Sequence, residues 1–236
     1  MDKKRVLVLI DGFNYYHKLK EYQDRYQKCV KWLDYSSLAN SWLAPNEQII
    51  EIYYFTAIAT WRGADCVLRH KTYIEALKTK GVIPVLGEFK KKKVDRCKEK
   101  EKCVNCNCEP EEKRKLPRHE EKNSDVNLAI TLIEKTIKNE FDKCFILSAD
   151  NDFASAIARA KQLNPNIKIT VQPPPLPRKK PALKRDYAID NLEHCAGSCA
   201  LLTNFYTILK HQFPDKYQGL VNPWIIKSTE ELVSVE

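Results

Sequence analysis

The sequence predicts an α/β fold: a mostly parallel sheet of five strands with helices on both faces. Three observations carry that expectation. Apolar runs and helical stretches alternate along the chain, and such alternation closes through right-handed crossovers into a parallel sheet. The first run, Val6–Ile10, is continuously apolar between Lys3-Lys4-Arg5 and Asp11, the mark of a strand buried on both faces. Hydrophobic residues make up 43% of the 236 positions, enough for a sizeable core and too many for wholesale disorder.

Taken in order, helical spacing follows Asp11-Gly12 from Phe13 to about Tyr26. The run 49–59 (IIEIYYFTAIA) is rich in β-branched and aromatic residues and reads as the second strand. A helix is predicted over 64–80, with Val67, Ile74 and Leu77 on one side and Gly81 at its end as a C-terminal cap. The third strand is expected over 82–89. Residues 90–120 break the pattern, being charge-dense, poor in aliphatics and home to four cysteines. From Ser124, the positions of Val126, Leu128, Ala129, Leu132, Ile133 and Ile137 predict a strong amphipathic helix. Strand four is expected over 144–147, a helix over 153–163 and strand five over 167–171. The segment 173–185 (PPPLPRKKPALKR) is extended by its prolines and cationic. A helix over 200–211 and a tail with Pro223-Trp224 complete the chain. Residues 1–172 are thus expected to form the main domain, with 173–236 an extension that packs back on it.

Charge and composition narrow the function. Lys plus Arg is 40 and Asp plus Glu 31, a net charge of +9; such an excess points to an anionic partner, nucleic acid before acidic membrane. No apolar stretch approaches the roughly 20 residues of a membrane span, and the first run is too short for a secretion signal. The six glycines form neither a dinucleotide-binding nor a P-loop motif. Nine cysteines without a secretion signal read as reduced thiols of a cytoplasmic protein.

In a parallel sheet the ligand crevice lies outside the carboxyl ends of the strands, where strand order reverses. Acids stand at those ends: Asp11 after strand one, Asp150 and Asp152 after strand four, and Asp125 at the start of the long helix. Helix capping explains Asp125 and one of the Asp150/Asp152 pair, but explains Asp11 and the doubled acids poorly. Two carboxylates about 4 Å apart repel by about 4 kcal/mol at an effective dielectric near 20. Sharing a pocket therefore calls for a cation, and an all-oxygen set points to Mg²⁺ or Mn²⁺ rather than zinc. Such ions activate water and neutralise a phosphodiester during in-line displacement. A D-x-D phosphatase is disfavoured, because Phe13 follows Asp11 at the second position.

Three blocks, VLVLIDGFNYYH (6–17), EEKNSDVNLAI (120–130) and FILSADNDFASAI (145–157), resemble in order and spacing the signature blocks of the NYN domain family. That family groups PIN-like nucleases, including a bacterial LabA-like branch. The resemblance implies a PIN-like α/β/α sandwich carrying a metal-dependent ribonuclease site, with RNA as substrate and DNA as an open alternative. Asp11, Asp125, Asp150 and Asp152 match the family's acids, Asn14 and Ser148 its neighbouring polar residues, and Glu121-Lys122 a supporting pair. Asn123-Ser124 departs from the glycine usual before the second-block acid. On the chemistry, Asp11 and Asp150 are expected as the direct ligands of Mg²⁺ or Mn²⁺. Asp125 and Asp152 bind a second ion or work through metal-bound water, one serving as general base. Asn14 and Ser148 orient water or a phosphate oxygen, or else make local helix-start and turn bonds. The alternative to an enzyme is a non-catalytic RNA-binding regulator.

Cys97, Cys103, Cys106 and Cys108, spaced C-x₅-C-x₂-C-x-C, suggest a structural Zn²⁺ in the insert, with His119 as a substitute ligand; the alternative is a loop of free thiols. Cys29, Cys66, Cys144, Cys195 and Cys199 read as packing residues, with a ligand role for Cys195 and Cys199 beside His194 a minor alternative. Basic stretches at 90–93, 113–115 and 178–185 are expected to rim the acidic centre and bind backbone phosphates. Tyr15, Tyr16 and His17, just past Asp11, are candidates to stack on bases.

Overall fold

A computed structural model describes residues 2–92, 118–174, 194–196 and 204–225. Its centre is a five-stranded sheet in the order β3-β2-β1-β6-β7. The strands are β1 (Lys4–Asp11), β2 (Glu47–Thr56), β3 (Val82–Leu86), β6 (Lys143–Leu147) and β7 (Lys168–Val171), each parallel to its neighbour. The alternation of strands and helices forces this arrangement, and the predicted α/β architecture is the one observed.

The side-chain period of a strand divides the core in two. Val6, Val8 and Ile10 of β1 face one layer with Tyr15, Leu38, Tyr73, Leu77 and Ile208. Leu7 and Leu9 face the other with Leu128, Leu132, Ile157 and Ala160. The first layer is built from α1 (Gly12–Tyr26), α2 (Tyr35–Asn40), α3 (Ala64–Lys78) and α6 (Phe205–Lys210); the second from α4 (Ser124–Ile137) and α5 (Ala154–Leu163). Every residue from Val6 to Ile10 is fully buried, which is why the run carries no polar alternation.

Several local expectations shift. The stretch 82–89 is not one strand: it ends at Leu86, and after Gly87 the chain leaves the sheet as β4 (Glu88–Lys92), antiparallel to β5 (Arg118–Lys122). An added Cβ on Gly87 would stand 2.5 Å from the Lys122 carbonyl oxygen and 2.8 Å from Ser124 Oγ, so only glycine lets the two segments approach there. The charged insert thus grows from an ordered ribbon, whose polar strands gave no apolar signal. Helix α2 was not expected; Asp34 starts it by accepting the Ser37 N–H at 2.9 Å. The last helix spans 205–210 among the described residues, followed by a hairpin of β8 (Lys216–Tyr217) and β9 (Leu220–Val221).

The C-terminal segment docks on the chain between α1 and α2. Trp32 Nε1–H donates to the Pro214 carbonyl at 2.9 Å, and Phe213 N–H donates to the Trp32 carbonyl at 2.9 Å. Trp32 is fully buried against Phe213 and Trp224. At the amino ends of the strands, Arg5 pairs with Asp142 and Lys143 with Glu47.

Candidate active site

Strand order reverses at β1: the chain proceeds outward through β2 and β3, then returns to place β6 on the other side. Asp11 closes β1, and Ser148 follows the last paired residue of β6, Leu147, which lies opposite Ile10. This is the switch point at which a parallel sheet gathers ligands.

Asp11 is only 4% exposed and both its oxygens are engaged. Oδ1 accepts the Asn14 N–H at 3.0 Å, and Oδ2 accepts the Ser148 hydroxyl at 2.8 Å. Ser148 Oγ in turn accepts the Asp150 N–H at 3.0 Å, while Asn14 Oδ1 accepts the Ala149 N–H at 3.2 Å. Asn14 and Ser148 thus tie the loop after β6 to the start of α1. Asp11 also caps α1, contrary to the sequence expectation that capping fits it poorly. Capping occupies one oxygen and leaves its burial and the surrounding acids unexplained.

Gly12 is required directly beyond it. A Cβ there would meet the Tyr54 ring at 2.6 Å and the Phe55 carbonyl oxygen at 2.7 Å, because α1 starts pressed against β2.

The other acids converge on Asp11. Burial, with repulsion from Asp125 and Asp150, pushes the Asp11 carboxyl up to about 6, despite the opposing bonds from Asn14 and Ser148. Asp125, in the first turn of α4, is likewise raised to about 6 by burial and by Glu121, Asp150 and Asp152. Its side chain is not the cap that the sequence suggested: the cap position is Asn123, in the left-handed conformation (φ 77°) with no side-chain cap bond. The Ser124 N–H is taken instead by Glu121 Oε1 at 3.2 Å. Asp150 accepts the Asp152 N–H at 3.0 Å and caps the short 3₁₀ turn Asn151–Phe153. Five carboxylates from β1, β5, α4 and the loop after β6 therefore share one neighbourhood, Glu121 joining it beside Asp125.

Among the described residues, no three His, Cys, Asp or Glu side chains stand close enough to ligate one ion together. Asp11 and Asp150 spend oxygens on Ser148, Asn14 and Asp152 instead. An all-carboxylate set that repels itself still fits a hard cation. Mg²⁺ keeps several waters and needs only one or two carboxylates.

Other predicted residues separate. Tyr15 is fully buried, its hydroxyl donating to the Gln172 carbonyl at 2.9 Å, so it is core and not a stacking surface. Tyr16 and His17 line a cavity beside Asp11. His119 lies on β5 with its ring stacked on Trp61, centroids 4.1 Å apart. Cys97, Cys103, Cys106 and Cys108 lie outside the described residues, as do Lys93, 113–115, 178–185 and Cys199. Cys29, Cys66, Cys144 and Cys195 are free thiols, Cys144 buried in the core. Exposed Lys90 and Lys91 extend along β4. The cavity beside Asp11 was missed by sequence reasoning, because its walls come from α1, α3, the β4–β5 ribbon and the C-terminal tail.

The NYN domain profile matches residues 5–189. A crystal structure of a protein of unknown function from Vibrio parahaemolyticus is similar at 17% identity and a TM-score of 0.49, over 85% of this chain and 94% of that one. No curated protein matches.

Proposed function

The chain belongs to the NYN domain family, a branch of the PIN-like nucleases, and we propose that it is a divalent-metal-dependent ribonuclease, cutting RNA internally at the carboxylate cluster around Asp11. One observation carries the reading. A carboxyl buried to 4% exposure sits at the switch point among four further acids, with no cation among the described residues to neutralise it. Structural need alone does not account for that cost.

Asp11 and Asp150 would hold Mg²⁺ or Mn²⁺, with Asp125 and Asp152 taking a second ion or its bound water. Such an ion, when bound, lowers the pKa of water and offsets charge on the scissile phosphate. The protein's own part is positioning and proton movement. Ser148 and Asn14 fix Asp11 and the Asp150 loop to one another. Asp125, raised to about 6, is suited to accept a proton from the attacking water near neutral pH. Structural Zn²⁺ at Cys97, Cys103, Cys106 and Cys108, with His119 in reserve, belongs to the same proposal, and zinc content per chain measures it. RNA over DNA rests on the family alone, since the +9 charge suits either polyanion.

Labelled RNA and DNA incubated with the purified protein in Mg²⁺ or Mn²⁺ test the reading. RNA should be cut internally, EDTA should abolish cleavage, and Asp11→Asn should lower it at least about 1000-fold while salt-sensitive RNA binding persists. The +9 charge serves equally a second reading, a non-catalytic RNA-binding regulator. Binding without cleavage under every divalent ion would establish that reading.

A further inference from the structure

Beside Asp11 opens a cavity of about 620 Å³, whose wall includes Gly12 and Phe13, the two residues that follow this acid. It lies within the size range of small-ligand sites. Its lining differs from that of the acid cluster. Lys20, Lys31, Arg62 and Arg69 face it, and no carboxylate among the described residues does.

Lys31 is the informative residue. It is 9% exposed, yet its ammonium has no carboxylate or hydrogen-bonding partner among the described residues. Aromatic rings flank it, Nζ lying 5.8 Å from the Tyr16 ring centroid and 5.5 Å from that of Trp224, and Asp24 favours its charge only from beyond ion-pair distance. Cation–π contacts recover only part of the lost hydration. A second orphan joins it, since Gln23 Oε1 is buried without a partner and Gln23 lines the same wall. At the rim stands Trp61, 38% exposed, its ring held by parallel stacking on His119 and by the edge of Phe89, centroids 4.1 and 4.2 Å away. Burial, and after it the nearby Lys20 and Arg62, hold the His17 imidazole below its usual pKa, so it adds no charge near neutral pH.

An unpaired deep cation, an orphan hydrogen-bond acceptor and a braced exposed indole match the three parts of a nucleotide. We propose that this cavity is a nucleotide subsite: the base stacks on Trp61, Gln23 accepts from a base or ribose group, and Lys31 with Arg62 and Arg69 takes the phosphate. The nucleotide is either one unit of an RNA strand or a free mononucleotide. Taken as a strand unit, it rests on the ribonuclease reading and would seat a residue adjoining the scissile bond.

The test is independent of cleavage. Full-length Asp11→Asn protein in EDTA is titrated by calorimetry with AMP, adenosine, inorganic phosphate and a ten-nucleotide single-stranded RNA. AMP or the RNA should bind at least tenfold more tightly than adenosine or phosphate alone. Lys31→Met and, separately, the exposed-site change Arg62→Gln should each weaken that binding about tenfold. Removing an unpaired buried charge should leave the melting temperature of Lys31→Met equal or higher, which separates lost binding from lost folding. Binding by RNA alone assigns the subsite to the strand; binding by AMP assigns it to a free nucleotide. The proposal fails if neither binds, or if binding is indifferent to both substitutions. A protein that cleaves RNA yet gives that result keeps the nuclease reading and loses the subsite.

Discussion

At the scale of single residues, Asp11 sets a conflict between function and stability. Its carboxyl ordinarily titrates near 3.8 and here near 6. Between those values the folded state keeps a proton that the unfolded chain releases. The contribution of this carboxyl to stability therefore falls as pH rises through the window, and above pH 6 it remains as a cost on the order of 3 kcal/mol. In metal-free buffer Asp11→Asn should melt about 6–12 °C above the parent at pH 7.5, with the gap closing by pH 4; differential scanning calorimetry across that range measures it. Ser148 acts through two others. It is fully buried, and Ser148→Ala would strand Asp11 Oδ2 and the Asp150 N–H. A loss of about 1–3 kcal/mol in urea unfolding is expected. The acid limb of the pH–rate profile should also move upward, since Asp11 loses a bond that favours its charged form.

At the scale of elements, the hydrophobic run of β1 and the apolar stripe of α4 were legible because burial imposes their periods. Helix α2 and the β4–β5 ribbon were not. Six residues are too few to show a helical period, and the strand Glu88–Lys92 is too polar in sequence to alternate. The ribbon matters because Lys122 leads directly into α4 and Asp125. Gly87→Ala would push the Lys122 carbonyl and Ser124 away from β3. It should destabilise the fold by about 1–3 kcal/mol and lower cleavage by displacing Asp125, both readable on one purified variant.

At the scale of the whole molecule, one open edge of the sheet carries opposite charges side by side. Carboxylates gather around Asp11, and four cationic side chains line the neighbouring cavity. Under the proposed function a divalent cation would relieve the first group. Millimolar Mg²⁺ or Mn²⁺ at pH 7.5 should raise the melting temperature by a few degrees, about 2–4 °C per kcal/mol of linkage, and should raise that of Asp11→Asn much less. Among the described residues no helix is long and apolar enough to cross a membrane.

The sequence by itself determined the α/β architecture and the candidate acids Asp11, Asp125, Asp150 and Asp152. A parallel sheet has one carboxyl edge, and residues that end strands must lie along it. It also carried the three blocks by which the family is known. Only the tertiary structure decided that Asp11 caps α1 while Asp125 caps nothing, that Glu121 joins the acids, and that Tyr15 belongs to the core. It alone placed Lys31 beside Trp224, 193 positions apart, because the C-terminal segment folds back onto Trp32. Periodicity records which way a residue faces along its own element. Which distant element it meets there is settled by packing, and that leaves no local trace in the chain.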